Sequence, residues 1–188
     1  YKTLDDVFEQ VEFFVDAVSD YKSDFVLFPE YFNAPLMAKF NHLGEAQSIR
    51  GLAQYTEEIR ERFVNLAISY NINIITGSMP LLKEDGALYN VGYLIRRDGS
   101  YEMYEKVHVT PDEQKSWGLS GGKMVKTFDT DCARIGVLIC YDVEFPELSR
   151  IMADQGMQIL FVPFLTDTQN GYSRVRVCAQ ARAIENEC

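Results

Sequence analysis

Three short segments carry side chains whose types could make and break covalent bonds. Cys140 closes the apolar run Val137-Leu138-Ile139 and opens Tyr141-Asp142-Val143-Glu144-Phe145-Pro146-Glu147, so a thiol stands where a strand gives way to an acidic turn and a helix-opening proline. Glu30 ends Phe25-Val26-Leu27-Phe28-Pro29-Glu30, and Lys106 follows another strand-like run in Glu105-Lys106-Val107-His108-Val109-Thr110-Pro111. A thiol is nucleophilic as the thiolate, and with an ordinary pKa of about 8.5 it needs a base at neutral pH. A carboxylate partly desolvated at a strand end is raised toward neutrality, where a general base works best. An ammonium can hold negative charge as it develops on a substrate. Taken singly, each residue has a plainer fate: a buried Cys finishing a strand, a solvated Glu after a proline, a Lys on a β edge. Chemistry is argued by the three types recurring together, each at the end of a different apolar strand.

Glu30, Lys106 and Cys140, in this order and in these local motifs, resemble the catalytic triad of the nitrilase superfamily of carbon–nitrogen hydrolases. The resemblance extends over nearly the whole chain. It implies a hydrolase of a non-peptide carbon–nitrogen bond, an amide before a nitrile, working through a Cys140 thioester with Glu30 as base and Lys106 as oxyanion stabiliser. It also implies that the backbone N–H of Tyr141 is a second oxyanion donor, and that a second glutamate soon after the lysine positions substrate and holds the lysine. Glu113 matches that position best, with Asp112 beside it left open because the spacing of this loop varies. Arg182 and Glu185 resemble a further family motif and are expected to form a buried ion pair bracing the site. Asp142 and Glu147 are expected to orient the turn and helix after Cys140. His108 is expected to be a satisfied core or loop histidine. No metal and no organic cofactor is expected. The expected partners are a small-molecule amide or nitrile and a second copy of the chain, as a homodimer or higher homo-oligomer.

Positioning these residues requires strands that end on one edge. Thr3 and Asp6 mark a helix start, followed by Leu4, Val7, Phe8, Val11, Phe14, Val15 and Val18 at helical spacing. Short apolar runs at 25–28 and 159–162 predict buried strands. A strand is expected over 73–79, and a hairpin over 89–96 and 101–107 turns at Asp98-Gly99. A β pair is expected over 125–128 and 133–139. Helices are expected over 47–70, 146–155 and 173–187, with loops over 31–46 and 110–123. Strands alternating with helices and local hairpins make an α/β fold with mixed sheets. The resemblance sharpens this to a four-layer α-β-β-α sandwich. Family members begin with one more strand and continue past the Arg182–Asn186 motif. The expectation is therefore a single domain over 1–188, incomplete at both ends and lacking terminal strands. The segment 106–122, with Trp117-Gly118-Leu119-Ser120-Gly121-Gly122, resembles a subgroup that includes proteins fused to an acetyltransferase-like domain.

Bulk properties narrow the function classes. A chain of 188 residues, 47% hydrophobic and 13% aromatic, can bury a sizeable core. Its net charge of −10 opposes binding to nucleic acid or an anionic membrane. Four cysteines without a C-x-x-C pair and only two histidines leave no zinc-ligand spacing. No apolar stretch nears the ~20 residues that span a bilayer, and no secretory leader is read, so a reducing cytoplasm is expected. Three rivals to the hydrolase stand beside it: a non-catalytic assembly or regulatory module, a thioester-based acyltransferase, and a Cys–His hydrolase or transferase using His108. Asp142 and Glu144 beside the nucleophile are expected to disfavour an anionic substrate, unless Arg174 and Arg176 face the pocket.

Overall fold

The computed structural model describes residues 3–188. Its first helix, α1 (Leu4–Asp20), starts on a capping box: the Thr3 hydroxyl accepts the Asp6 N–H at 3.1 Å, and the Asp6 carboxylate accepts the Thr3 N–H at 2.9 Å. Leu4, Val7, Phe8, Val11 and Val15 face inward at helical spacing.

The strands that follow are β1 (Phe25–Leu27), β2 (Asn73–Ile75), β3 (Met79–Leu82), β4 (Leu88–Ile95), β5 (Tyr101–Glu105) and β6 (Leu119–Ser120), which form one six-stranded mixed sheet. Its centre is β4, antiparallel to β2 and β3 along one edge, with β5 antiparallel and β6 parallel along the other. Parallel pairing of β1 with β2 sets the strand end at Leu27 beside Ile75. A second sheet, in the order β7 (Phe128–Asp129), β8 (Arg134–Val137) and β9 (Ile159–Phe161), is antiparallel in its first pair and parallel in its second.

The layers follow from which faces are apolar. Phe8 and Val11 of α1, together with Phe63 of α3 (Thr56–Ser69), pack on Ile74, Val91 and Ile95 of the first sheet. Ile75, Leu94 and Tyr104 on its other face meet Ile135 and Val137 of the second sheet. Behind the second sheet, Leu148 and Met152 of α4 (Pro146–Asp154) cover Leu138. The last helix, α5 (Gln169–Asn186), packs along the turn that follows β8. This is the α-β-β-α layering that the family resemblance implies.

Several boundaries differ. The helix read over 47–70 is two helices, α2 (Glu45–Leu52) and α3, separated by a 3₁₀ turn over Ala53–Tyr55. Tertiary contacts account for the break: the buried Thr56 hydroxyl donates to the Pro80 carbonyl at 2.6 Å, and Gly51 lies so close to the Phe40 ring that an added Cβ would meet it at 2.8 Å. The strand read over 73–79 ends at Ile75 and resumes at Met79, because Gly77 turns between them with φ +69°. The expected loop over 31–46 contains a 3₁₀ helix, Ala34–Phe40, and that over 110–123 contains a π turn, Glu113–Trp117. Among the described residues no helix is long and apolar enough to cross a membrane.

Candidate active site

Glu30 reaches its place because β1 runs out beside a glycine. The Phe28 N–H still donates to the Ile75 carbonyl at 3.0 Å, after which the chain bends over Gly77. A Cβ on Gly77 would lie 2.0 Å from the Pro29 oxygen, so only glycine lets the Pro29-Glu30 bend approach. The carboxylate is buried, with 3% of the residue exposed. Its Oε1 accepts Lys106 Nζ at 2.8 Å and Asn90 Nδ2 at 3.0 Å, while Oε2 accepts the Leu165 N–H at 3.1 Å. Burial raises the carboxyl above its ordinary range, with Glu113 adding to the rise and Lys106 opposing it.

Lys106 follows the last residue of β5. Its backbone stays on the sheet, the N–H donating to the Asn90 carbonyl at 2.9 Å and the carbonyl accepting the Gly122 N–H at 2.7 Å. The ammonium is 1% exposed and donates to Glu30 and to Glu113, each at 2.8 Å. Burial alone would lower its pKa, but the two carboxylates outweigh burial and hold it above the ordinary lysine value. Glu113 is fixed in turn by the Tyr31 hydroxyl at 3.0 Å and the Thr110 N–H at 2.7 Å. Asp112, the open alternative, is exposed. The geometry thus brings Glu113, not Asp112, to the lysine.

Cys140 comes from the other sheet. Past β8 its backbone turns into the left-handed region at φ +48° and opens a 3₁₀ helix, Cys140–Glu144. Its N–H donates to the Pro163 carbonyl at 2.9 Å, and the thiol lies 3.8 Å from the Leu165 carbonyl. Burial, then the Glu30 charge, pushes the thiol up to about 12, with Lys106 opposing. Burial and the Glu30 charge thus favour the neutral thiol as the resting group. The Tyr141 N–H lies in the first turn of the 3₁₀ helix, where N–H groups find no partner within the helix.

The residues read as supporting the site are placed as follows. Asp142 reaches across to another segment. Its buried carboxylate accepts the N–H groups of Val107 at 3.1 Å and His108 at 2.7 Å, on the segment carrying Lys106. His108 Nδ1 lies 3.1 Å from Asp142, and the ring stacks on Phe145 at 3.7 Å, so the ring is engaged by these two residues. Glu147 is exposed in the first turn of α4, where a negative charge suits the helix dipole. Arg182 pairs with Glu185 at 2.8 Å, but the Glu185 side chain is 44% exposed, so the expected buried pair is half open. Glu144 pairs with Arg174 at 2.6 Å. Asp142 is thus held by backbone N–H groups and Glu144 by an arginine.

Two further residues complete the cluster. Tyr31, at φ +50° and buried, links the backbone beside Glu30 to Glu113, its ring edge-on to Trp117 at 5.5 Å. Leu165 acts through backbone atoms alone, which leave no side-chain signal to read. All four cysteines are free thiols. Among the described residues no three His, Cys, Asp or Glu side chains are grouped to hold a metal ion.

Comparison with known proteins places the chain among related sequences and folds. The carbon-nitrogen hydrolase family model matches residues 1–188. The probable hydrolase YhcX of Bacillus subtilis (strain 168) is 49% identical over 178 residues, 95% of this chain and 34% of that protein. The human omega-amidase NIT2 is 33% identical over 175 residues, 86% of this chain and 59% of that protein. The crystal structure of Saccharomyces cerevisiae Nit3, a member of branch 10 of the nitrilase superfamily, superposes with a TM-score of 0.75 at 26% identity, covering 95% of this chain and 65% of that one. The chain thus spans less than two thirds of the length of these relatives.

Proposed function

The chain belongs to the carbon-nitrogen hydrolase family, and on that premise we propose that it is an amidase, hydrolysing a small-molecule amide through a thioester on Cys140. The observation that carries this reading is the Lys106 ammonium held 2.8 Å from both Glu30 and Glu113, with Leu165 bonded through its N–H to Glu30 and through its carbonyl to the Cys140 thiol. Base, cation and nucleophile share one desolvated spot, where electrostatic stabilisation is strongest.

Because the thiol is raised to about 12, a standing thiolate is not the attacking species at neutral pH. Glu30 removes the proton as Sγ bonds to the amide carbon, and the C=O electrons move onto oxygen. Lys106 and the Tyr141 N–H hold that oxyanion. Its collapse breaks the C–N bond, and Glu30 returns the proton to the departing nitrogen, leaving a thioester. Glu30 then takes a proton from water as the oxygen attacks the thioester. Collapse breaks the C–S bond, releasing a carboxylic acid, and the proton on Glu30 restores the thiol. Glu113 keeps Lys106 aimed at the oxyanion and lines the substrate side.

The same reading assigns a homodimer in which a second copy covers Ile151 of α4 and Val177 and Ile184 of α5, apolar side chains left exposed on adjoining helices. Sedimentation at micromolar concentration is expected to give the mass of two chains, and a monomer would contradict this assembly. A nucleophile that works as a free thiol suits a reducing compartment such as the cytoplasm.

The testing experiment is ammonia release from a panel of small amides and nitriles, with wild type and Cys140→Ala side by side. Release by wild type alone is expected, fastest from an amide. Equal release by both, or by neither when both are folded, would defeat the proposal.

A further inference from the structure

The two proposed donors to the oxyanion come from different sheets. Lys106 extends β5 of the first sheet, whereas Tyr141 lies in the turn after β8 of the second. Holding a cation and a backbone N–H on one developing charge requires a tie between these segments. Misplacement by about 1 Å costs on the order of 10²-fold in rate.

One side chain spans the gap. Asp142, 1% exposed, directly follows Tyr141, and its acceptors are taken by the two residues directly after Lys106. Oδ2 accepts the Val107 N–H at 3.1 Å, and Oδ1 accepts the His108 N–H at 2.7 Å with His108 Nδ1 at 3.1 Å. Two of these partners are backbone N–H groups, which cannot swing away as side chains do. A buried carboxylate is costly unless its oxygens are satisfied, so this one is anchored where its donors are. Its bonds bracket both donors: Tyr141 on one side of the contact, Lys106 on the other.

We propose that Asp142 is a positioning residue that holds the Lys106 ammonium and the Tyr141 N–H in register over the carbon attacked by Cys140. This rests on the amidase reading above. Asp142 touches no substrate. It acts by clamping the lysine segment to the nucleophile turn. Its loss weakens oxyanion stabilisation, which is felt in the transition state and not in substrate binding.

The test compares wild type, Asp142→Asn and Cys140→Ala on three readouts: kcat and KM for ammonia release, and the rate of Cys140 alkylation by iodoacetamide, followed by peptide mapping. Alkylation displaces iodide at an sp³ carbon, needs the thiol and Glu30, and builds no oxyanion. Asp142→Asn keeps the shape but turns one acceptor into an NH₂ group facing an N–H. Its kcat is expected to fall about 10²-fold, with KM and alkylation each within about threefold of wild type. A kcat within threefold of wild type would overturn the inference, as would alkylation falling in step with kcat, which marks a merely structural role. Asp142→Ser, smaller and with one hydroxyl acceptor, is read on the same readouts if Asp142→Asn does not fold. Wild type no more active than Cys140→Ala would overturn the amidase reading, and this inference with it. Active wild type with an equally active Asp142→Asn would overturn this inference alone.

Discussion

The two halves of the candidate site are built by different means. The charged half, Glu30, Lys106 and Glu113, belongs to the first sheet and its loops and is held by side chains bonding to side chains at 2.8 Å, each residue 4% exposed or less. The half with the proposed nucleophile, Cys140 to Glu144, follows the second sheet and is set largely by backbone atoms: a left-handed residue, an N–H on the Pro163 carbonyl, and the N–H groups of Val107 and His108 on Asp142. Burying charge is tolerable only with charge or donors beside it, so the first half must assemble as a unit. A thiol needs no such compensation, and burial keeps it protonated. Damage to the charged half should therefore reach stability and activity together, and damage at the nucleophile should reach activity alone.

The sharpest contrast is between Cys140→Ala and Lys106→Ala. Cys140→Ala is expected to lower ammonia release by at least about 10⁴-fold. Its unfolding midpoint in urea is expected to stay near wild type, since a thiol is exchanged for hydrogen with no buried charge stranded. Lys106→Ala is expected to be as inactive and to lose about 3–5 kcal/mol in urea unfolding, because Glu30 and Glu113 are left facing each other without their cation. The sign with pH follows from Lys106 being held above its ordinary value. Its stabilisation is fully present below the unfolded lysine pKa of about 10.4 and fades as pH rises through the higher folded value. The stability gap between wild type and Lys106→Ala should thus narrow only in strong alkali. Equal stability of the two variants at neutral pH would erase the distinction between the halves.

A milder probe enters the charged half from its edge. Tyr31→Phe removes the hydroxyl donated to Glu113 but keeps the ring on Trp117. A hydrogen bond to a charged group is worth about 1.5–3 kcal/mol, so stability is expected to fall by about that much. The kcat/KM is expected to drop about tenfold as Glu113 loosens its hold on the lysine, and steady-state kinetics beside urea unfolding would check both. A loss confined to activity would place Tyr31 with the nucleophile half instead.

Strand ends are what the sequence displays best. Phe25–Leu27, Leu88–Ile95 and Ile159–Phe161 are strands where apolar runs predict them, because such a run is carried in consecutive residues. Only Leu88–Ile95 is buried along most of its length: β1 buries Val26 alone and β9 none of its residues, which corrects the expectation of buried strands there. That locality made Glu30, Lys106 and Cys140 readable as strand-end residues, and the structure gathers them with Glu113. What escaped was set by distant contacts. The break before Thr56 depends on the Pro80 carbonyl, 24 residues on. The direction of Asp142 depends on N–H groups 34 and 35 residues back. Tyr31 bonds a carboxylate 82 residues away, from a backbone conformation that tyrosine seldom adopts. Leu165 contributes main-chain atoms that any residue could supply. No local periodicity encodes such pairings.

The central claim is that Cys140 carries the acyl group. The most direct measurement is to quench wild type in acid during turnover of its best amide and map the acylated residue by mass spectrometry of its peptides. The expected result is an acyl group on Cys140, lost on treatment with hydroxylamine as a thioester is. An acyl group on any other residue of the actively turning-over enzyme would contradict the account.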